Sequence, residues 1–273
     1  MAGPLISFLS DFGGESAPAT CRGVMWGIAP DARLLDLNHH VPKFAVRDGA
    51  FLLSRAVGYL PVGVHLAVVD PGVGTARRPV ALRAARGDTL VGPDNGLLLP
   101  AARVLGGVTA AHQLTNRELF LAEVSSTFHG RDLFAPVAAH LAAGVPLERV
   151  GPAIAPASLV DLRLPEPVVV DAGLETAVLF IDSFGNVRLA GQPEDLAAVV
   201  GPLEGGRLLR LRVGDGGSVE VPWHATFGAV GAGQPLLYDD ADYDGLALAV
   251  NQGSAAERFG LAIDDLVRIE GMG

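Results

Sequence analysis

The sequence predicts an α/β protein: an N-terminal, largely parallel sheet with flanking helices, followed by a smaller C-terminal β-barrel-like domain. Three observations predict it. Short β-rich apolar runs alternate with helical patterns through the first half, the signature of a sheet whose strands are joined by crossover helices. Four prolines, at 152, 156, 165 and 167, crowd a stretch without apolar periodicity, which sets a domain boundary between residues 1–163 and 164–273. Beyond that boundary the pattern changes to strands joined by glycine turns, as in small barrels and sandwiches.

Taken in order, Pro4 to Ser10 reads as a buried strand, Thr20 to Ala29 as a helix stopped before Pro30, and Arg33 to Leu37 as the next strand. Asp48 is placed to start a helix running through Arg55 to Tyr59, its carboxylate near the positive end of the helix dipole. Val64 to Val69 is a strand that runs directly into Asp70-Pro71-Gly72-Val73-Gly74-Thr75, so this loop lies at a strand's carboxyl end, where open α/β sheets bind ligands. Pro79 to Arg83 and Thr89 to Val91 follow as short strands, and Arg131 to Ala143 has helical spacing closed by Gly144. In the second domain the predicted strands are Val168 to Val170, Thr176 to Ile181, Arg207 to Val213, Ser218 to Val221, Gly245 to Val250 and Leu266 to Ile269. Short helices are expected near Glu194 to Val200 and Ala255 to Phe259.

Composition narrows the function by exclusion. The 273 residues carry 30 acidic against 20 basic side chains, a formal charge of −10, which argues against a phosphate-backbone partner. The single cysteine, Cys21, cannot form an internal disulfide or a cysteine zinc site. At 49% hydrophobic residues the chain is too apolar for disorder, yet no apolar run approaches the roughly 20 residues that cross a bilayer. A cytoplasmic protein, with neither nucleic acid nor membrane as partner, is expected.

Several short segments carry side chains suited to chemistry. Asp11, in Ser10-Asp-Phe-Gly13, closes the first strand, and its carboxylate suits either a vicinal diol or a local turn. The kinase reading of Asp-Phe-Gly lacks its glycine-rich loop and lysine strand. Asp70 and Arg77 offer opposite charges from one glycine-containing loop, which fits a ligand site or a tight turn with an ion pair. A P-loop is not expected, because the Gly-Lys-Ser/Thr ending is missing. His129, in Phe128-His-Gly-Arg-Asp132, opens a helix whose positive end favours neutral imidazole and hence proton acceptance near pH 7. The remaining histidines show no metal-ligand spacing. In Asp182-Ser-Phe-Gly-Asn186 the Asn186 amide offers a donor and an acceptor to a purine edge and Asp182 suits an ammonium group, while a hairpin turn explains the Gly-Asn pair equally well.

Together the segments resemble one family. Asp11 in Ser-Asp-Phe-Gly, Asp70 and Arg77 in the run Asp70 to Arg77, Pro93-Asp94-Asn95-Gly96-Leu97, His129, Asp182 to Asn186, and Asn251-Gln-Gly-Ser-Ala255 occur in the order found in the S-adenosyl-L-methionine hydrolases (adenosine-forming). These are also called S-adenosylmethionine hydroxide adenosyltransferases and are relatives of the fluorinase and chlorinase. The resemblance covers nearly the whole chain. It implies hydrolysis of S-adenosyl-L-methionine to adenosine and L-methionine without a cofactor, in a homotrimer whose sites lie between the N domain of one subunit and the C domain of the next. It also implies a water-activating set at Asp70, Arg77 and His129, a ribose carboxylate at Asp11, an ammonium contact at Asp182 and an adenine contact at Asn186. Phe44 stands where the halogenases carry a tryptophan against the ribose, and Phe184, Asn251 and Ala255 complete the implied substrate-binding set.

Two stretches depart from the family pattern. Asp242-Tyr243-Asp244 replaces a segment associated with the methionine carboxylate, and Gly14-Glu15-Ser16-Ala17 is shortened relative to the halogenases' ammonium-binding loop. Halide-dependent synthesis of a 5′-halo-nucleoside and nucleoside binding without turnover are the competing readings. The halogenases carry a long insertion where only Ala84 to Asp88 separates two strands here, and a carboxylate at Asp70 would repel a halide.

Overall fold

The computed structural model describes residues 3–14, 16–171, 173–214, 217–241 and 245–272. Glu15 and the Asp242-Tyr243-Asp244 segment therefore lie outside the described residues. The chain divides into two compact units, Met1–Leu162 and Arg163–Gly273.

The first unit is a six-stranded sheet of β1 (Leu5–Ser10), β2 (Arg33–Asn38), β3 (Val64–Val68), β4 (Pro79–Ala84), β5 (Thr89–Pro93) and β6 (Val108–Gln113), in the order β2-β1-β3-β5-β4-β6. The pairs β1–β2, β1–β3 and β3–β5 are parallel, whereas β4 runs antiparallel to both β5 and β6. Helices cover both faces. On one, α1 (Ser16–Ile28) and α4 (Ala135–Ala142) bury Cys21, Met25, Val137 and Ala138 against Ile6, Phe8 and Leu66. On the other, α2 (Val46–Val57) and α3 (Leu99–Val104) bury Leu53, Val57 and Ala101 against Leu9, Ala67 and Leu82. Consecutive apolar residues with both faces covered are what a two-sided parallel sheet requires.

Three helices differ from the sequence expectation for definable reasons. The first begins a turn earlier, at Ser16, because Pro18 sits in the opening turn, where a missing N–H forfeits no helical bond. The second begins at Val46, so Asp48 lies in its first turn rather than at its start, and burial raises that carboxyl's pKa. The predicted helix from Arg131 is two pieces, a π-helical turn over Gly130–Phe134 followed by α4. Pro136 has no N–H to return to Asp132, and the Ala135 N–H instead reaches the Gly130 carbonyl five residues back. α3 and β6 were absent from the sequence reading. The strand's Val-Thr-Ala-Ala-His-Gln has little alternation, and its pairing with β4 decides it.

The second unit is an antiparallel sheet of β7 (Val168–Val170), β8 (Gly173–Ile181), β9 (Val187–Leu189), β10 (Leu208–Val213), β11 (Ser218–Pro222), β12 (Pro235–Asp240), β13 (Gly245–Val250) and β14 (Leu266–Gly271). Its main path runs β11-β10-β14-β8-β9-β13-β12, with β7 alongside β8. A bridge between Trp223 and Leu237 brings its two ends together, so the sheet is nearly a closed barrel around Leu174, Val187, Leu211, Leu248 and Ile269. Two helices, α5 (Pro193–Val200) and α6 (Ala255–Phe259), complete the unit. The strands β9 and β12 escaped the sequence reading, the former because three residues are too few to show a period.

Candidate active site

Strand order places the reactive side chains. From β1 the chain crosses to β2 on one side and then to β3 on the other, so the topological switch point lies between β1 and β3. Asp11 follows the carboxyl end of β1 and Asp70 that of β3, which sets two carboxylates on the two flanks of that crevice.

The loop after β3 folds back on itself. Val73 N–H donates to the Asp70 carbonyl (3.2 Å), Thr75 N–H to Gly72 (3.1 Å), and the Thr75 hydroxyl accepts from Arg77 N–H (3.3 Å). These turns bring the Arg77 guanidinium onto Asp70, with Nε donating to Oδ1 at 2.9 Å and Nη2 donating to Oδ2. The Arg77 and Asp70 side chains are only 10% and 6% exposed, and the Phe134 ring lies 5.1 Å below the guanidinium. This is therefore not the solvated surface pair allowed by the local sequence. The Pro93 to Leu97 segment braces the same strand end: Asn95 Nδ2 donates to the Val69 carbonyl at 2.9 Å, and Asp94 accepts from Arg78 and from Val160 N–H.

His129 arrives from 52 residues further on. It caps the π-helical turn, and its Nδ1 lies 2.9 Å from Arg77 Nη2. A guanidinium only donates, so Nδ1 accepts and a neutral His129 carries its proton on Nε2. Its pKa is lowered, first by burial and then by the Arg77 charge, with Asp70 and Asp132 opposing. The direction agrees with the sequence expectation, but burial and a neighbouring cation, rather than a helix terminus, bring it about. Close ring packing fixes this corner, with Phe12 edge-on to Phe128 at 5.6 Å. A Cβ on Gly130 would come within 2.5 Å of the Phe12 ring, so only glycine fits beside His129.

A cleft of about 310 Å³ opens over this group, lined by Asp11, Phe12, Phe44, Asp70, Phe128 and His129 among others. Asp11 Oδ2 accepts the Phe44 N–H at 3.0 Å. Phe44 is 68% exposed and holds a left-handed φ of 68°, a strained conformation for an aromatic residue.

The remaining predicted residues gather in the second unit. Phe184, Asn186 and Asn251 line a cleft of about 400 Å³ with Phe227, Val250 and Gln252. Asp182 and Ala255 are not among its lining residues. Instead Asp182 Oδ1 accepts the N–H groups of Phe184 and Asn186, and Oδ2 accepts Asn186 Nδ2, each at 2.9 Å. The carboxylate thus orients the Asn186 amide, which keeps one N–H and its oxygen for a ligand. Ala255 is fully buried at the start of α6, where Ala256 N–H donates to the Gly185 carbonyl at 3.0 Å. Gly185 has φ 81°, and a Cβ there would meet the Ser254 hydroxyl at 2.1 Å, so this turn also requires glycine. Sequence reasoning missed Phe227 and Gln252. Phe227 lies in no motif and enters the cleft from a 3₁₀ turn before β12, whereas Gln252 belongs to the Asn251 to Ala255 segment, where its type alone carries no signal.

A family model described as the SAM hydroxide adenosyltransferase N-terminal domain matches residues 6–151, and the C-terminal domain model of that family matches residues 176–268. The chain belongs to the SAM hydroxide adenosyltransferase family. It is 49% identical over 269 residues to the Salinispora tropica protein named (R)-S-adenosyl-L-methionine hydrolase, across 97% of each chain. It is 32% identical to a fluorinase of an Actinoplanes species, across 94% of each. A solved structure described as an uncharacterized conserved protein from Thermotoga maritima superposes with a TM-score of 0.85 at 36% identity, covering 97% of this chain and 99% of that one. In this SAM hydroxide adenosyltransferase chain the charged cleft belongs to the region matched by the N-terminal family model and the apolar cleft to that matched by the C-terminal one.

Proposed function

We propose that this protein hydrolyses S-adenosyl-L-methionine to adenosine and L-methionine by in-line attack of water on C5′ of the nucleoside. The observation that carries the reading is the Arg77 guanidinium bound at once to Asp70 and to His129 Nδ1 beside the β1–β3 crevice. The sulfonium departs as a neutral thioether, so the leaving group needs no acid, and the demand falls on the water. The water oxygen forms the bond to C5′, the C5′–S electron pair stays on sulfur, and one proton must leave the water. With Nδ1 engaged by Arg77, His129 presents an Nε2–H that donates to the water oxygen, and the Asp70 carboxylate is the group left to take the proton. The positive charge of Arg77, bound to Asp70, stabilises the hydroxide character that develops on the water. Attack of an incipient anion on a cation annihilates charge, which a water-poor cleft favours. The chemistry requires no metal or redox cofactor.

Recognition divides by chemistry. Asp11 takes the ribose diol, with Phe44 against the sugar. Asn186 reads the adenine edge with Phe184 beside the base, Asp182 supplies negative charge for the substrate ammonium, and Asn251 and Ala255 shape the surrounding backbone. Assembly as a homotrimer is part of the proposal and is tested by light scattering, where a monomeric mass in the active preparation would refute it.

Incubation of purified protein with S-adenosyl-L-methionine in ¹⁸O-water tests the activity. One labelled oxygen in adenosine is expected, and unlabelled adenosine or none would overturn the hydrolytic reading. Halide attack is disfavoured because Asp70 places a carboxylate where an anion would have to sit. Formation of a 5′-halo-nucleoside at high chloride or fluoride would restore it.

A further inference from the structure

Two Ser–His–Asp chains run through the first unit outside the proposed water-activating set, and they end in different places. In one, Ser7 Oγ lies 2.8 Å from His65 Nδ1 and His65 Nε2 lies 3.0 Å from Asp88 Oδ1, with all three side chains wholly buried. Arg86 and the Gly63 N–H complete the partners of Asp88, so this chain ties β1, β3 and β5 together and is sealed.

The other ends at the crevice. Ser10 Oγ lies 2.8 Å from His39 Nδ1, and Ser10 immediately precedes Asp11. The same hydroxyl accepts the Phe12 N–H at 3.4 Å, and the His39 carbonyl accepts the Gly13 N–H at 2.6 Å. His39 thus holds the turn from residue 11 to 13 at both ends. Its own ring is fixed edge-on to Phe8 at 4.6 Å, and its Nε2 is 3.1 Å from Asp36 Oδ1, a close polar contact out of line for a hydrogen bond. Asp36 is anchored in turn by Arg22 at 2.5 Å. Neither serine is a nucleophile, because both are fully buried.

We infer that His39 is a positioning residue for nucleoside binding, aiming the Asp11 carboxylate through Ser10 while Asp36 and Arg22 hold the imidazole from behind. The inference rests on the reading of Asp11 as the ribose ligand. A side chain that only stabilised the fold would act on every ligand contact, whereas one that acts through Asp11 becomes silent once Asp11 is removed. That difference is measurable as non-additivity.

The experiment is a double-mutant cycle on adenosine affinity, by calorimetry on the full chain, with His39→Ala, Asp11→Ala and the double variant. His39→Ala is expected to weaken adenosine by about 5- to 30-fold and to raise KM for S-adenosyl-L-methionine with kcat nearly unchanged. In the Asp11→Ala background it should have no further effect. His39→Asn, which keeps a polar atom near the Nδ1 position, should recover most of the affinity and also serves if the alanine variant folds poorly. His65→Ala, on the sealed chain, should lower thermal stability and leave adenosine affinity alone. Equal losses from His39→Ala in both backgrounds, or no rescue by asparagine, would overturn the inference. Wild-type adenosine affinity in Asp11→Ala alone would instead overturn the reading of Asp11, and the inference with it.

Discussion

The two units carry clefts of similar size and opposite character. In the first, Arg77 is bound at once to Asp70, beyond the end of a parallel strand, and to His129, at the start of the π-helical turn, and the Asp70 and Arg77 side chains are mostly buried. In the second, the cleft is walled by Phe184, Phe227 and Val250, and Phe184 is 77% exposed. Near the second cleft Asp182 accepts from Asn186 N–H and Nδ2 and so shapes the turn that presents it, while the rest of the Asn186 amide stays open to a ligand. Groups that polarise one another in low dielectric suit bond making, and an apolar wall with a few oriented amides suits recognition.

Three measurements break or sharpen that contrast. The largest effect is expected at Asp70. Asp70→Ala should lower kcat by roughly 10²-fold or more, with the thermal midpoint followed separately because Arg77 loses its buried partner. Retained turnover would move Asp70 to a purely structural role. A smaller, different effect is expected in the second unit, where Phe184→Ala should raise KM by about 5- to 30-fold, on the order of 1–2 kcal/mol, and leave kcat within a factor of about two. A fall in kcat with unchanged KM would erase the division between the clefts.

The smallest effect is a pH dependence belonging to the first unit. Burial lowers the pKa of His65, His129 and His140 from the ordinary value of 6.5. Each binds its proton more readily unfolded than folded, so their contribution to stability is intact above about 6.5 and declines as pH falls below it. For the same reason kcat/KM should stay level through pH 6.5 and fall only in more acidic solution, and His129→Gln should remove that limb from the residual rate. An acidic limb centred above 6.5 would contradict the burial of His129.

How legible the site was depended on sequence separation. Asp70 and Arg77 are seven residues apart in one glycine-containing loop, and their partnership could be suspected from spacing, though not its burial. The turn from Asp182 to Asn186 was equally visible, because its hydrogen bonds are internal. His129 was marked by its motif, yet nothing local predicted that its Nδ1 would face Arg77. That contact depends on Pro136 opening a π-turn and on glycine at 130 admitting Phe12. His39 was passed over because its signal lies in Ser10 and Asp36, on neighbouring strands.

By itself the sequence determined the layered α/β first unit, the barrel-like second one and the chemical types available to a site, because apolar period, glycine and proline act over a few residues. Only the tertiary structure decided which of those groups meet. Strand order put Asp11 and Asp70 on one crevice, and close packing around Gly130 turned His129 towards Arg77. Contacts across 50 or more residues are set by how sheets and helices bury their apolar faces, and local propensity carries no record of that outcome.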